Sequence, residues 1–240
     1  MKHLYLLTGL VHPERADVNV SSTRIELRDT GDVINFSVYK SRIAFTVETG
    51  VLLNEDGMNS LRLFAEDQVR TVVDSLGFLI GCGYDIEIIQ CIEPKSQGHL
   101  IFGVEEKYLS ELNYIDRVNP EELVQLMNSE FGVYLRRCLN DLRLAIRVPQ
   151  DSPFYCYRAI ECLTHHFLNN GASNKNEAWQ QFRDQLTISK EKIMYIKGAA
   201  DPIRHGNPLE AQTADRREVM TSTWGIIMSF IEFAKRTSQA

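Results

Sequence analysis

Residues 119–145 read NPEELVQLMNSEFGVYLRRCLNDLRLA, and the spacing of their apolar positions decides the fold. Asn119 is placed to cap a helix, Pro120 suits its first position, and Glu121 and Glu122 bring negative charge to its first turn. Met127, Phe131, Tyr134, Cys138, Leu142 and Ala145 then recur every three or four residues, the period of a helix packed on one face. Upstream the period is two. Ile25 and Leu27 alternate with charged residues, Asp29-Thr30-Gly31-Asp32 supplies a turn, and Ile34, Phe36 and Val38 alternate again, as do Ile43, Phe45 and Val47. Such alternation predicts an antiparallel meander covered on one face. Its cover is a helix whose stripe is Leu61, Phe64, Gln68, Val72, Leu76 and Leu79, ended by Gly81 and Gly83. Residues 1–13 read as a first strand, and residues 84–92 and 99–104 as two further ones.

Downstream of residue 119 the helical period persists. Ser152-Pro153 starts a second helix that runs to about Asn169. Others cover about 176–186, follow Ser189, and span about 213–236. The expected architecture is an α+β domain, an antiparallel sheet with a covering helix, over residues 1–117. An all-α helical bundle of five helices follows over residues 118–240.

Composition sets limits on function. Of 240 residues, 44% are hydrophobic and 24% charged, the ordinary proportions of a globular protein. A formal net charge of -6 argues against bulk attraction to nucleic acid, so any such binding needs a local basic patch. Five cysteines, at 82, 91, 138, 156 and 162, form no CxxC pair and indicate neither a disulfide framework nor a zinc site. A reducing, cytoplasmic setting is expected. No membrane span, metal or cofactor is expected either: no apolar run reaches the roughly 18 residues a span needs. Gly81-Cys82-Gly83 follows a helix instead of opening one, the reverse of a dinucleotide-binding turn. Cys162 and His166, one helical turn apart, are two ligands without further partners.

Candidate binding residues fall in three places. Arg158, Glu161 and His165 share one face of the helix after Ser152, either as an anion-binding or catalytic cluster or as a solvated face. Arg136, Arg143 and Arg147 lie within roughly 40° of arc on the helix before it, a basic stripe able to hold phosphates or an acidic partner. On the last helix, Trp224, Met228 and Ile231 lie opposite the stripe Val219, Ile226, Phe230 and Phe233. A helix apolar all round is either central in its bundle or met by a second chain. Self-association through that face is one expectation.

Between the last two helices stands Asp201-Pro202-Ile203-Arg204-His205-Gly206-Asn207, read as a break that holds two cation-forming side chains. With the Tyr157-Arg158-Ala159-Ile160-Glu161 helix before it, this arrangement resembles the HEPN (higher eukaryotes and prokaryotes nucleotide-binding) superfamily of helical bundles. The resemblance covers roughly residues 120–236. It implies a nucleotide- or RNA-directed module of the kind found in bacterial toxins and antiviral defence. In that family an arginine, usually followed by a polar residue, is separated from a histidine by four to six intervening residues, the arginine holding phosphate and the histidine moving protons. Arg204 and His205 match the first two, but the histidine's positions carry Leu209, Glu210 and Ala211. The resemblance therefore implies a non-catalytic binding or assembly protein, with Arg204, His205, Arg158 and His165 as ligand contacts. The alternatives are a metal-independent ribonuclease using Arg204 and His205, and a small-ligand sensor acting through the α+β half.

Overall fold

The alternation that opens the chain builds one antiparallel sheet. The computed structural model describes residues 2–103, 106–207 and 214–238. Its strands are β1 (His3–His12), β2 (Val20–Glu26), β3 (Val33–Tyr39), β4 (Arg42–Thr49), β5 (Asp85–Glu93) and β6 (Gly98–Ile101). They lie in the order β2-β3-β4-β1-β5-β6. The meander therefore holds only for β2 to β4, because β1 enters between β4 and β5, antiparallel to both. Tyr5, Leu7 and Val11 on β1, Phe36 on β3, Phe45 on β4 and Ile88 on β5 bury their side chains in one core.

One helix, α1 (Glu55–Ile80), packs on that core, with Asn54 capping it by accepting from the Gly57 amide at 2.9 Å. Its buried line is Met58, Ala65, Val69, Val73 and Gly77. The expected stripe flanks that line: Leu61, Phe64, Val72 and Leu76 are only part-buried, and Leu79 is 77% exposed. The sheet's own tyrosine, phenylalanines and leucine already fill the space between the layers. The helix approaches on its small residues, and its larger ones close the sides.

The remaining helices form a second unit. The chain divides into Met1–Val104 and Glu105–Ala240, earlier than the expected junction at 117–118. Leu109 and Val118 are buried in the helical core, so the short helix α2 (Lys107–Ser110) belongs to the bundle. The long stripe of residues 119–145 is two helices, α3 (Pro120–Met127) and α4 (Gly132–Arg147). α3 opens on the capping box of Asn119 and Glu122. The break after Met127 depends on Gly132, where an added Cβ would stand 2.0 Å from the Met127 carbonyl oxygen. Then follow α5 (Ser152–Asn169), α6 (Lys175–Leu186), α7 (Lys190–Arg204) and α8 (Arg216–Ser238). Phe131, Leu135, Ile160, Leu163, Phe182, Ile196 and Phe230 make their common core. α5 touches α4, α6, α7 and α8 and is the central helix. No helix among the described residues is long and apolar enough to cross a membrane.

Candidate functional site

The segment Asp201–Asn207 is the end of α7, not a loop. Asp201 to Arg204 form its last turn, with Pro202 inside the helix. Gly206, at φ 72°, reverses the chain. The Asn207 amide donates to the Pro202 carbonyl at 2.8 Å and the Gly206 amide to that of Ile203 at 3.1 Å, the paired bonds of a Schellman cap. The His205 amide also donates, to Asp201 at 3.0 Å. Backbone groups thus satisfy these terminal carbonyls. The Arg204 guanidinium is not needed there, and Arg204 and His205 are both exposed.

The charge of Arg204 acts on Tyr157. This tyrosine is buried on α5 and stacked on Trp179 of α6, with ring centroids 6.3 Å apart and planes 9° from parallel. Burial pushes its phenol up to about 12, the carboxylates of Glu161 and Asp201 push the same way, and the charge of Arg204 opposes them. Two carboxylates and a guanidinium therefore act on one buried phenol. Lys197 forms an ion pair with Asp201.

The other predicted residues do not join this group. Arg158 follows Tyr157 and points about 100° away round the helix, toward α4. Its Nε donates to Asp141 Oδ2 at 3.0 Å and its Nη2 to Oδ1. Asp141 is fully buried, and Arg137 approaches it at 3.9 Å from the solvent side. Phe154 and Tyr155 flank the Arg158 guanidinium, their centroids 5.1 and 5.0 Å away. Arg158 is thus held in a bidentate inter-helix bridge, its side chain 31% exposed. His165 is exposed. It stands eight residues beyond Tyr157, about 12 Å farther along α5. Leu209, Glu210 and Ala211 lie outside the described residues.

His166, beside His165, is buried. Its ring lies among Phe131, Tyr134, Phe167, Phe230 and Phe233, with centroids 4.6 to 6.1 Å apart. Burial pulls its basicity below the ordinary histidine value of 6.5. The Cys162 thiol donates to the Tyr134 carbonyl at 3.6 Å, and no group of three His, Cys, Asp or Glu able to hold a metal is found among the described residues. The five cysteines are free. Burial raises the thiols of Cys138 and Cys162, takes that of Cys91 to about 11 and that of Cys156 to about 12, so none of these four is an activated nucleophile.

Arg136, Arg143 and Arg147 are exposed along α4 as expected. Arg136 donates to the Met127 carbonyl at the end of α3, and Arg143 to Asn140 at 2.9 Å. By contrast, the second apolar face of α8 is not a free surface. Met228 is 7% and Ile231 5% exposed, and only Trp224 on that face is part-exposed. α8 is apolar all round because α2, α3, α5, α6 and α7 surround it. Trp224 instead borders an open groove of about 410 Å³ with Glu106, Leu109, Tyr114, Ile115 and Ile146.

Sequence reasoning missed three residues of consequence. Asp141 and Arg137 were not singled out, and only the pairing of α4 with α5 gives them their roles. Arg216 opens α8 and joins four segments: it donates to Ser152 Oγ at 2.8 Å, the Tyr108 hydroxyl at 2.9 Å, Glu106 at 3.0 Å and the Ala145 carbonyl at 3.3 Å. Arginine at a helix start, where anions are favoured, was its one signal.

The two units correspond to separately recognised domains. Residues 5–102 match the model described as the N-terminal domain of DUF8168, a domain of unknown function, and residues 120–235 match its C-terminal domain. Each half of the chain resembles one domain of DUF8168. The DUF8168 C-terminal match runs from the capping box of α3 into the last turns of α8, and so contains Arg204, Asp141, Arg158 and Arg216. Its description names no HEPN domain. No curated protein and no solved structure matches the chain.

Proposed function

We propose that this chain is a non-catalytic, HEPN-like binding or assembly protein of the cytoplasm, whose helical unit holds an anionic group with Arg204. The carrying observation is that this exposed guanidinium stands where the HEPN resemblance places its arginine, while the positions of that motif's histidine carry Leu209, Glu210 and Ala211. Cleaving a phosphodiester takes an acid and a base near neutral pH, held within hydrogen-bond reach of the reacting oxygens. His165 stands eight residues beyond Tyr157 on α5, about 12 Å of helix. Arg204 itself is exposed, permanently charged and released from capping duty by the Schellman bonds, which leaves its planar fork for phosphate or carboxylate. Five free cysteines fit a reducing compartment. A bacterial defence or stress system is the setting implied by the HEPN resemblance.

The test uses a labelled RNA oligonucleotide and the full chain. Wild type is expected to leave the RNA intact. Arg204→Ala is expected to weaken its binding by about 1.5–3 kcal/mol, roughly ten- to a hundredfold, as the loss of a charge-assisted bond implies. Cleavage by wild type that disappears in both Arg204→Ala and His205→Ala would promote the ribonuclease reading.

A further inference from the structure

Between residues 108 and 174 every cation other than histidine is an arginine. α4 carries four of them, Arg136, Arg137, Arg143 and Arg147, and its single acid, Asp141, is buried beneath them. Its outer face therefore shows positive charge with no exposed carboxylate of its own. Val133, 62% exposed, lies within the arginine row, and Ile146, 36% exposed, lies at its edge. Arginine is enriched and lysine depleted at protein-binding surfaces, and this row holds arginine without lysine.

An acidic surface of the matching form exists on the same chain. Residues 1–104 hold fourteen Asp and Glu against nine Lys and Arg, and so carry five of the chain's six net negative charges. On α1, Asp56, Leu63, Asp67, Asp74 and Phe78 fall within about 60° of arc, and all five are exposed. Leu63 is 40% and Phe78 87% exposed, the latter a large apolar ring left in water. The α1 cations Arg62 and Arg70 are already engaged, with Glu66 at 4.0 Å and Asp85 at 3.2 Å.

The two rows share an interval. Asp67 to Asp74 and Arg136 to Arg143 are each seven residues, about 10.5 Å of helix. Laid antiparallel with Asp74 opposite Arg136, the helices bring Asp67 opposite Arg143. In that same alignment Phe78 comes against Val133 and Leu63 beside Ile146. Charges and apolar groups are matched in one register.

We propose that the arginine face of α4 docks the α1 face of a second copy of this chain, antiparallel, through these four pairs. The inference rests on the reading of the protein as an assembly module and names its partner. Because the interface joins two different surfaces, each copy offers both halves of the contact.

Sedimentation velocity of the full chain tests it. Wild type is expected to associate at low salt and to dissociate as salt rises, since rim charges are screened. Arg136→Glu with Arg143→Glu should yield monomer at low salt, with Kd weakened by about tenfold or more per reversed pair. Asp67→Lys with Asp74→Lys should do the same. All four substitutions together should restore association, and the thermal melt of each variant separates lost docking from lost folding. A wild type that stays monomeric, or a fourfold variant that does not reassociate, overturns the proposal. So does a monomer whose melt falls with each reversal and recovers in the fourfold variant, because the rows would then meet within one chain. RNA binding lost on reversing the arginines, without any self-association, would assign the face to nucleic acid and overturn it as well. Arg204 enters none of these measurements, so the two readings fail separately.

Discussion

Replacing Arg158 with alanine should expose how much of the helical unit's stability hangs on one buried carboxylate. Asp141 is fully buried and accepts two bonds from the Arg158 guanidinium. Its other cation, Arg137, reaches it at 3.9 Å from a side chain 58% exposed. Removing one partner of a fully buried pair costs about 3–5 kcal/mol. The Arg158 side chain is 31% exposed and Arg137 remains, which moves the expectation to about 2–3 kcal/mol. Two cation–π contacts add about 0.5–1 kcal/mol each. The total is about 3–5 kcal/mol, a large share of the 5–15 kcal/mol that holds a domain together. Both tryptophans, Trp179 and Trp224, lie in the helical unit, so their fluorescence in urea follows that unit alone. With a urea dependence of about 2 kcal/mol per molar, the midpoint should fall by about 1.5–2.5 M. Arg158→Met combined with Asp141→Leu should recover most of the loss, since an apolar pair leaves no charge unsatisfied. A midpoint shift below about 0.3 M for Arg158→Ala would refute the reasoning, because Asp141 would then have found compensation elsewhere.

Other outcomes follow from the same geometry. His166 is kept below its ordinary value of 6.5 by burial, with Glu130 opposing, so the unfolded chain takes up a proton that the folded chain refuses. The stability it contributes is complete above pH 6.5 and is lost as pH falls from there toward its folded value, by at most about 1.4 kcal/mol per pH unit. His166→Phe should flatten that slope in urea titrations compared across pH. Met228→Glu should cost about 3 kcal/mol or more and abolish the cooperative melt, because it buries a carboxylate among α8's neighbours. A folded monomer by sedimentation and circular dichroism would return that face to the surface.

Much of the architecture was legible because it is written locally. Asn119 with Pro120 and Glu122, and Ser189, marked helix starts that the structure caps with those side chains. Strand alternation named the buried face of β3 and β4 correctly. What escaped depended on partners remote in sequence. Nothing near residues 3–12 says that this strand sits between β4 and β5, since strand order is set by pairing across the sheet. Gly132 looked like one weak point in a continuous stripe, because its close approach to Met127 exists only once the chain has turned. Pro202 read as a breaker, yet it ends up one turn before the cap. At the candidate site, Arg204 and His205 were read as part of a break between helices, and Tyr157, on which the charge of Arg204 acts, lies 47 residues away on α5. Asp141 looked like one more polar residue among arginines.

The central place of β1 bears on the order in which the first unit forms. β1 pairs with β4, about 40 residues later, and with β5, about 80 residues later. A chain emerging from the ribosome therefore makes its first strand long before either neighbour exists. The hairpins β2–β3 and β3–β4 can close early and locally and β1 can join β4 once residue 49 has been released, yet the other edge of β1 stays open until residue 93 is out, because among the described strands β1 alone bridges β4 to β5. Such high contact order makes assembly slow and keeps a strand with an open edge waiting. A nascent-chain series stalled before and after β5 should show protease resistance of the N-terminal unit arising in a single step, only once that strand is free.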